Sequence, residues 1–233
     1  MVDVADIQDE DSLKAWLEDQ PREVAVWIAS RAAARVLPVW WETVLTEDWA
    51  RVRDLTALPV LRCVLATSVF AKTPTADIKS AVAPAGAASR SAHATAATAY
   101  ADAPAYATDA AAAAAEALAY PDAAATAVAA AADTDANAPA IWDAVRADAE
   151  QAATRRLPDA TLPLWPEGRG PLEGQWDKVK ALVAEAPDAA DWQFWIDWYD
   201  ALLDGRPMLG DAARTWEMLE KIALIDAATW DAG

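Results

Sequence analysis

The segment DWQFWIDWYDALLDGRP, residues 191–207, holds the densest cluster of large side chains in an otherwise alanine-rich chain. Phe194 and Trp198 widen the apolar face of this segment, so we expect a helix buried among neighbours. Asp191 is a candidate N-cap. Gly205 followed by Pro207 is a stop signal, because glycine tolerates the left-handed position after a helix and proline cannot continue the helix. The other bulky residues recur at three- and four-residue spacing, which places them on one helical face: Trp192, Trp195, Ile196, Tyr199, Leu202 and Leu203.

The rest of the chain carries helical signals of the same kind. Apolar residues recur at helical spacing after Ser12, Pro21, Pro38, Pro59 and Thr73, and prolines stand where helices begin. No stretch alternates apolar and polar residues as a strand does, and alanine, which is poor in sheets, dominates residues 81–160. We therefore predict an all-α fold, a multi-helix bundle of about ten helices.

Prolines and glycines suggest a division of the chain. Residues 157–174 form a Pro/Gly-rich linker, within which Trp165 is expected to pin the loop to a core. This divides the chain into an alanine-rich helical bundle, 1–156, and a tryptophan-rich three-helix unit, 175–233. One continuous domain is the alternative.

Cysteine usage and hydropathy limit the location of the chain. Its 233 residues include one cysteine, Cys63, so it contains no intramolecular disulfide, which fits a reducing compartment. The first residues are acidic and lack the pattern of a signal peptide, and no apolar run is long enough to span a bilayer. We expect a cytoplasmic protein without a membrane anchor.

The formal net charge of −18 argues against direct binding of nucleic acid, which requires clustered lysines and arginines. Acidity on this scale mostly serves solubility. The alternative is a nucleic-acid mimic that occupies the basic groove of a partner protein, which would need carboxylates in ordered rows.

Few residues suggest catalysis or metal binding. His93, the only histidine, lies in a low-complexity helix, and Cys63 lies at an apolar helical position that predicts a core thiol. No glycine-rich phosphate loop occurs, so the sequence indicates no cofactor. Asp197, Asp200 and Asp204 share one helical face and are the weak candidates for a Mg²⁺ or Mn²⁺ site, although a solvated face is the simpler interpretation.

The 13 tryptophans are the one compositional anomaly. Most are expected to fill gaps between alanine-rich helices, because each indole ring buries a large area. The alternative is an exposed aromatic patch that binds a partner. Trp40, Trp41 and Trp49 are the candidates for such a patch, because they do not share one helical stripe.

Five motifs stand out in the second half of the chain: residues 163–168, 191–199, 205–207, 222–225 and 230–233. Together they resemble a recurring segment of uncharacterised alanine- and tryptophan-rich helical proteins of alphaproteobacteria. The resemblance is best over residues 157–233, and it implies helical structure and a longer parent chain but no activity.

Three functions follow as hypotheses. The first is a non-catalytic protein-interaction or scaffold module that binds a protein partner. The sequence does not determine its oligomeric state. The second is an acidic nucleic-acid-mimicking inhibitor of a basic partner. The third is a hydrolase dependent on Mg²⁺ or Mn²⁺ that uses the three aspartates of the 191–207 segment.

Overall fold

The computed structural model describes residues 3–99, 101–134, 138–154 and 162–231. Within these ranges all regular structure is helical, so the prediction of an all-α multi-helix bundle is confirmed. In the described part of the chain, a 3₁₀ turn at Val4–Asp6 precedes thirteen α-helices. These are α1 (Glu10–Leu17), α2 (Arg22–Arg35), α3 (Leu37–Thr46), α4 (Asp48–Val52), α5 (Leu58–Lys72), α6 (Ala76–Thr98), α7 (Asp102–Glu116), α8 (Ala123–Ala132), α9 (Ala138–Ala153), α10 (Glu173–Glu185), α11 (Ala189–Asp204), α12 (Ala212–Ala223) and α13 (Ala227–Asp231).

Two small-residue helices, α2 and α7, form the centre of the bundle. Helix α7 packs against α2, α3, α5, α6 and α8, and α2 is buried from Val24 to Arg35. Alanine allows helix axes to approach closely. Where α6 crosses α7, a Cβ built on Gly86 would lie 2.6 Å from the Cβ of Ala115, so glycine is needed at this contact. None of the described helices has the length and apolar character needed to cross a membrane.

Helix α11, which dominates the sequence, lies to the side of this centre. It begins after Asp188, so the prediction of Asp191 as N-cap is wrong and Asp191 lies in the first turn. The stop at Gly205 is confirmed, since this residue adopts the left-handed conformation with φ of 61°. Trp198 is buried, whereas Trp192 is only half-buried, so the buried face is rotated from the predicted one.

The C-terminal helices pack against different helices of the N-terminal part. Helix α10 contacts α3 as well as α11, and α12 contacts α5 and α6. One hydrophobic cluster extends from Ile7 to Ala223. These contacts join helices of the 175–233 segment to the N-terminal part, and the division of the chain into domains stays a prediction.

Tryptophan rings join the two parts of the chain. The ring of Trp41 on α3 lies 5.4 Å from that of Trp176 on α10 and 5.7 Å from that of Trp192 on α11. Trp176 also meets Tyr199 edge-on at 4.6 Å, and the Tyr199 hydroxyl donates to the Ala34 carbonyl in α2. Aromatic pairs of this geometry stabilise beyond the area they bury.

A buried charge cluster fixes the loop before α10. Asp148 on α9 accepts from Arg31 Nε at 2.9 Å and from Arg35 Nη2 at 2.6 Å, both on α2. The two guanidinium groups also donate to the carbonyls of Leu162, Pro163 and Leu164. Trp165 then lies in the core at 3% exposure, which confirms that this ring pins the loop.

Candidate binding cleft

The predicted aromatic patch is not exposed. Trp40 and Trp41 are each 1% exposed, and Trp49 is half-buried against the core. The prediction of an accessible surface at Trp40 and Trp41 is therefore wrong. The physical reason is that α3 packs against both α7 and α10, which cover its large side chains.

The three aspartates of α11 do not converge on a common point. Asp200 and Asp204 both accept from Arg169, and Asp200 also accepts from the indole nitrogen of Trp176 at 2.9 Å. Asp197 accepts instead from Gln193, one turn earlier. Because a cation would have to displace a guanidinium group already bound there, the arrangement argues against this candidate metal site.

The two candidate nucleophile or base side chains take part in helix packing. The Cys63 thiol lies 3.1 Å from the Ala111 carbonyl, and burial raises the pKa of this thiol to about 12. The Nδ1 atom of His93 donates to the Ala105 carbonyl at 2.9 Å. Both contacts join a neighbouring helix to α7.

A surface cleft of about 1030 Å³ lies where four parts of the chain meet. The 3₁₀ turn, the α1–α2 connection, the end of α5 and the end of α9 form its walls. These segments are brought together because α2 packs on α5 and α9 and because the 3₁₀ turn packs on α9. The lining residues are Asp3, Val4, Trp16, Asp19, Gln20, Pro21, Glu23, Val24, Ala71, Lys72, Pro74, Ala152 and Ala153.

The floor of the cleft is apolar and its rim is acidic. Trp16 and Val24 present their few exposed atoms at the floor. Asp19 is exposed in the α1–α2 connection, and Glu23 is half-buried in the first turn of α2. The ammonium group of Lys72 lies 4.5 Å from the centre of the Trp216 ring, a cation–π contact within the chain.

Sequence reasoning did not identify this cleft. Its acidic residues belong to a chain with 37 aspartates and glutamates, and nothing in their local sequence distinguishes Asp3, Asp19 or Glu23 from the others. Only the packing of α2 against α5 and α9 brings them to one place.

Within the described ranges, no three histidine, cysteine, aspartate or glutamate side chains come close enough together to hold a metal ion. The resemblance to the alphaproteobacterial proteins stays a prediction, because comparison of this chain with protein-family models, curated proteins and solved structures gives no match.

Proposed function

We propose that this chain is a non-catalytic protein-interaction or scaffold module, and that the cleft between the α1–α2 connection and the ends of α5 and α9 is its binding site. The observation that carries the proposal is the cleft itself. It combines an apolar floor with polar groups at the rim, the same division into apolar core and polar rim that protein interfaces show.

The roles of the reactive side chains support a binding function. Cys63 and His93 join helices, and Asp200 and Asp204 hold Arg169. A hydrolase that uses Asp197, Asp200 and Asp204 would have to release these contacts before it could bind a cation. The binding hypothesis requires no such rearrangement.

Charge and cysteine chemistry support two further parts of the proposal. A net charge of −18 repels nucleic acid, which supports a protein as the partner over DNA or RNA. The single cysteine is buried and needs no oxidising environment, in keeping with a cytoplasmic location. The nucleic-acid-mimic hypothesis stays a prediction. Its test is whether this chain competes with DNA for binding to a basic partner protein.

The proposal is tested by closing the cleft and leaving the fold intact. Ala153 is exposed at the end of α9 inside the cleft, so Ala153→Trp fills the opening. Ala190→Trp is the matched control, since Ala190 is an exposed alanine near the other end of a helix, in α11. Circular dichroism verifies the fold of both variants.

Each protein is immobilised and exposed to a native lysate, and captured proteins are identified by mass spectrometry. We expect a partner that the original chain and Ala190→Trp retain and that Ala153→Trp loses. Identical capture by all three proteins, or capture of none, would overturn the proposal that the cleft binds a protein.

A further inference from the structure

The described residues at the rim of the cleft carry mostly negative charge. Three of its side chains are carboxylates, Asp3, Asp19 and Glu23, and the one lysine at the rim, Lys72, lies over the Trp216 ring. Asp3 caps the 3₁₀ turn by accepting from the Ala5 amide, which fixes its carboxylate at the edge of the opening. A ligand in the cleft therefore meets a negative field, reinforced by the net charge of the whole chain.

The burial of Glu23 strengthens this effect. Its side chain is half-buried in the first turn of α2. A partly buried carboxylate interacts with an incoming cation at a lower effective dielectric than a fully exposed one. Asp19, four residues earlier in the connection, is exposed and adds to the attraction at longer range.

The remaining surface of the cleft offers apolar groups for contact. Val4 is half-buried, Pro21, Pro74 and Ala153 are exposed, and Trp16 lies beneath them. A purely cationic ligand such as a polyamine would leave these groups facing water. A ligand with both an apolar and a cationic face would cover the floor and pair with the rim.

The exposure of the rim distinguishes a peptide from a small molecule. Small-molecule sites enclose most of the ligand surface, commonly about 70–90%. Here Asp3, Asp19 and Pro74 line the opening and are themselves exposed, so a small ligand would remain largely in water. A peptide segment that crosses the opening needs only one of its faces covered, so an open rim does not weaken its binding.

From the charge, the apolar floor and the open rim, we infer that the cleft binds a basic amphipathic segment of a partner protein. Its apolar residues lie on the floor beside Trp16 and Val24, and its lysine or arginine side chains pair with Asp19 and Glu23. This inference rests on the proposed function and specifies the chemistry of the partner. Apolar anchors in a groove with complementary charge at the edge are a common mode of helix recognition.

The test measures the binding of synthetic peptides to the full chain by fluorescence anisotropy. The first probe is a helical peptide of about 18 residues with leucine on one face and lysine on the other. A second peptide carries glutamate in place of lysine. A third has the composition of the first in an order that removes the apolar face. Spermidine is added as a competitor to test for a purely ionic ligand.

Charge-reversal variants locate the site. Asp19→Lys/Glu23→Lys changes the rim of the cleft. Glu185→Lys/Asp191→Lys is the matched control, because it makes the same change in net charge and also pairs an exposed residue with one in the first turn of a helix. We expect the cleft variant to weaken binding of the first peptide on the order of tenfold and the control to leave it within about twofold.

Raising the salt concentration from about 0.05 M to about 0.5 M weakens binding of the first peptide, because screening shortens the range of the rim charges. Failure of the first peptide to bind, equal binding of the second or third peptide, displacement by spermidine, or equal loss in the two variants would overturn the inference. In each of those cases a lysate partner that Ala153→Trp loses would still support the interaction module. If Ala153→Trp captured the same lysate proteins as the original chain, the proposed function itself would be overturned.

Discussion

Replacement of Asp148 by asparagine is expected to destabilise the protein strongly. Asp148 is 3% exposed in its side chain and is the shared counterion of Arg31, 10% exposed, and Arg35, fully buried. Asparagine keeps the shape of the side chain but removes the charge. Two guanidinium groups then remain in the core with no counterion from the described part of the cluster. Three carbonyl acceptors in residues 162–164 compensate only part of that charge.

The magnitude follows from the loss of the carboxylate charge. Removal of one partner of a buried ion pair costs about 3–5 kcal/mol. The asparagine oxygen can still accept from one arginine, so one of the two hydrogen bonds is lost and the other weakens; loss of one charge-assisted hydrogen bond costs about 1.5–3 kcal/mol. For a chain of this size, each kcal/mol shifts Tm by about 2–4 °C, so we expect Tm to fall by about 6–20 °C. Urea unfolding followed by circular dichroism measures the free energy of unfolding directly.

A double-mutant cycle separates this electrostatic effect from a general loss of packing. Among the residues that the structure describes, the cluster holds two cations and one anion, and the Arg35 Nη1 atom is buried with no hydrogen-bond partner. Loss of Arg35 in Arg35→Met leaves a neutral Arg31–Asp148 pair. We therefore expect Asp148→Asn/Arg35→Met to be less destabilised than the sum of the single variants, by at least about 1 kcal/mol.

Glu150→Gln is the control, since Glu150 is exposed on the same helix and its substitution is expected to cost less than about 0.5 kcal/mol.

Hydrogen exchange measures the local stability of the loop beside the cluster. The Leu164 amide donates to the Leu202 carbonyl, and its protection depends on the loop that Arg31 and Arg35 hold. Stability of Asp148→Asn within about 0.5 kcal/mol of the original chain, or additive single variants, would refute the reasoning.

Three further predictions concern other sites. Gly205→Ala is expected to lower the free energy of unfolding by at least about 1 kcal/mol, because φ is 61° and the new Cβ would lie 2.4 Å from the Pro163 nitrogen. Gly174→Ala, with no atom within 4 Å of the new Cβ, should be neutral or stabilising in the same urea titration. Burial raises the pKa of Cys63 from 9.0 to about 12, so native protein at pH 8 should resist alkylation by iodoacetamide until it unfolds. The stability contributed by this protonated thiol is present below about pH 9 and is lost as pH rises towards about 12. Arg169→Gln should increase hydrogen exchange in residues 165–170 more than Arg214→Gln does, since Arg169 joins that loop to Asp200 and Asp204.

Each of these three outcomes has a clear contrary result. Equal stability of the two alanine variants would show that an alanine at position 205 is accommodated without backbone strain or a clash with Pro163. Alkylation of the native thiol as fast as that of the unfolded chain would contradict the burial of Cys63. Equal exchange in the two arginine variants would show that the loop does not depend on Arg169.

Helix positions could be predicted from the sequence because the signals that set them are local. The stop at Gly205 requires only a residue that tolerates positive φ, and the apolar spacing of α11 follows from 3.6 residues per turn. Even here the N-cap was wrong by three residues, since Asp188 and Asp191 both have the side chain of a cap. Where two residues near a helix start could both act as the N-cap, tertiary packing decides which one does.

The sequence by itself determined the helical fold, the end of α11 and the role of Trp165, because each depends on neighbours along the chain or on the size of one side chain. The tertiary structure decided the burial of Trp40 and Trp41, the partners of Asp148 and the existence of the acidic cleft. Asp148 lies 117 residues from Arg31 and 113 from Arg35. Pairing over such separations is selected only when α2 and α9 are already in contact, because any of the 37 acidic residues could otherwise have served the same arginines.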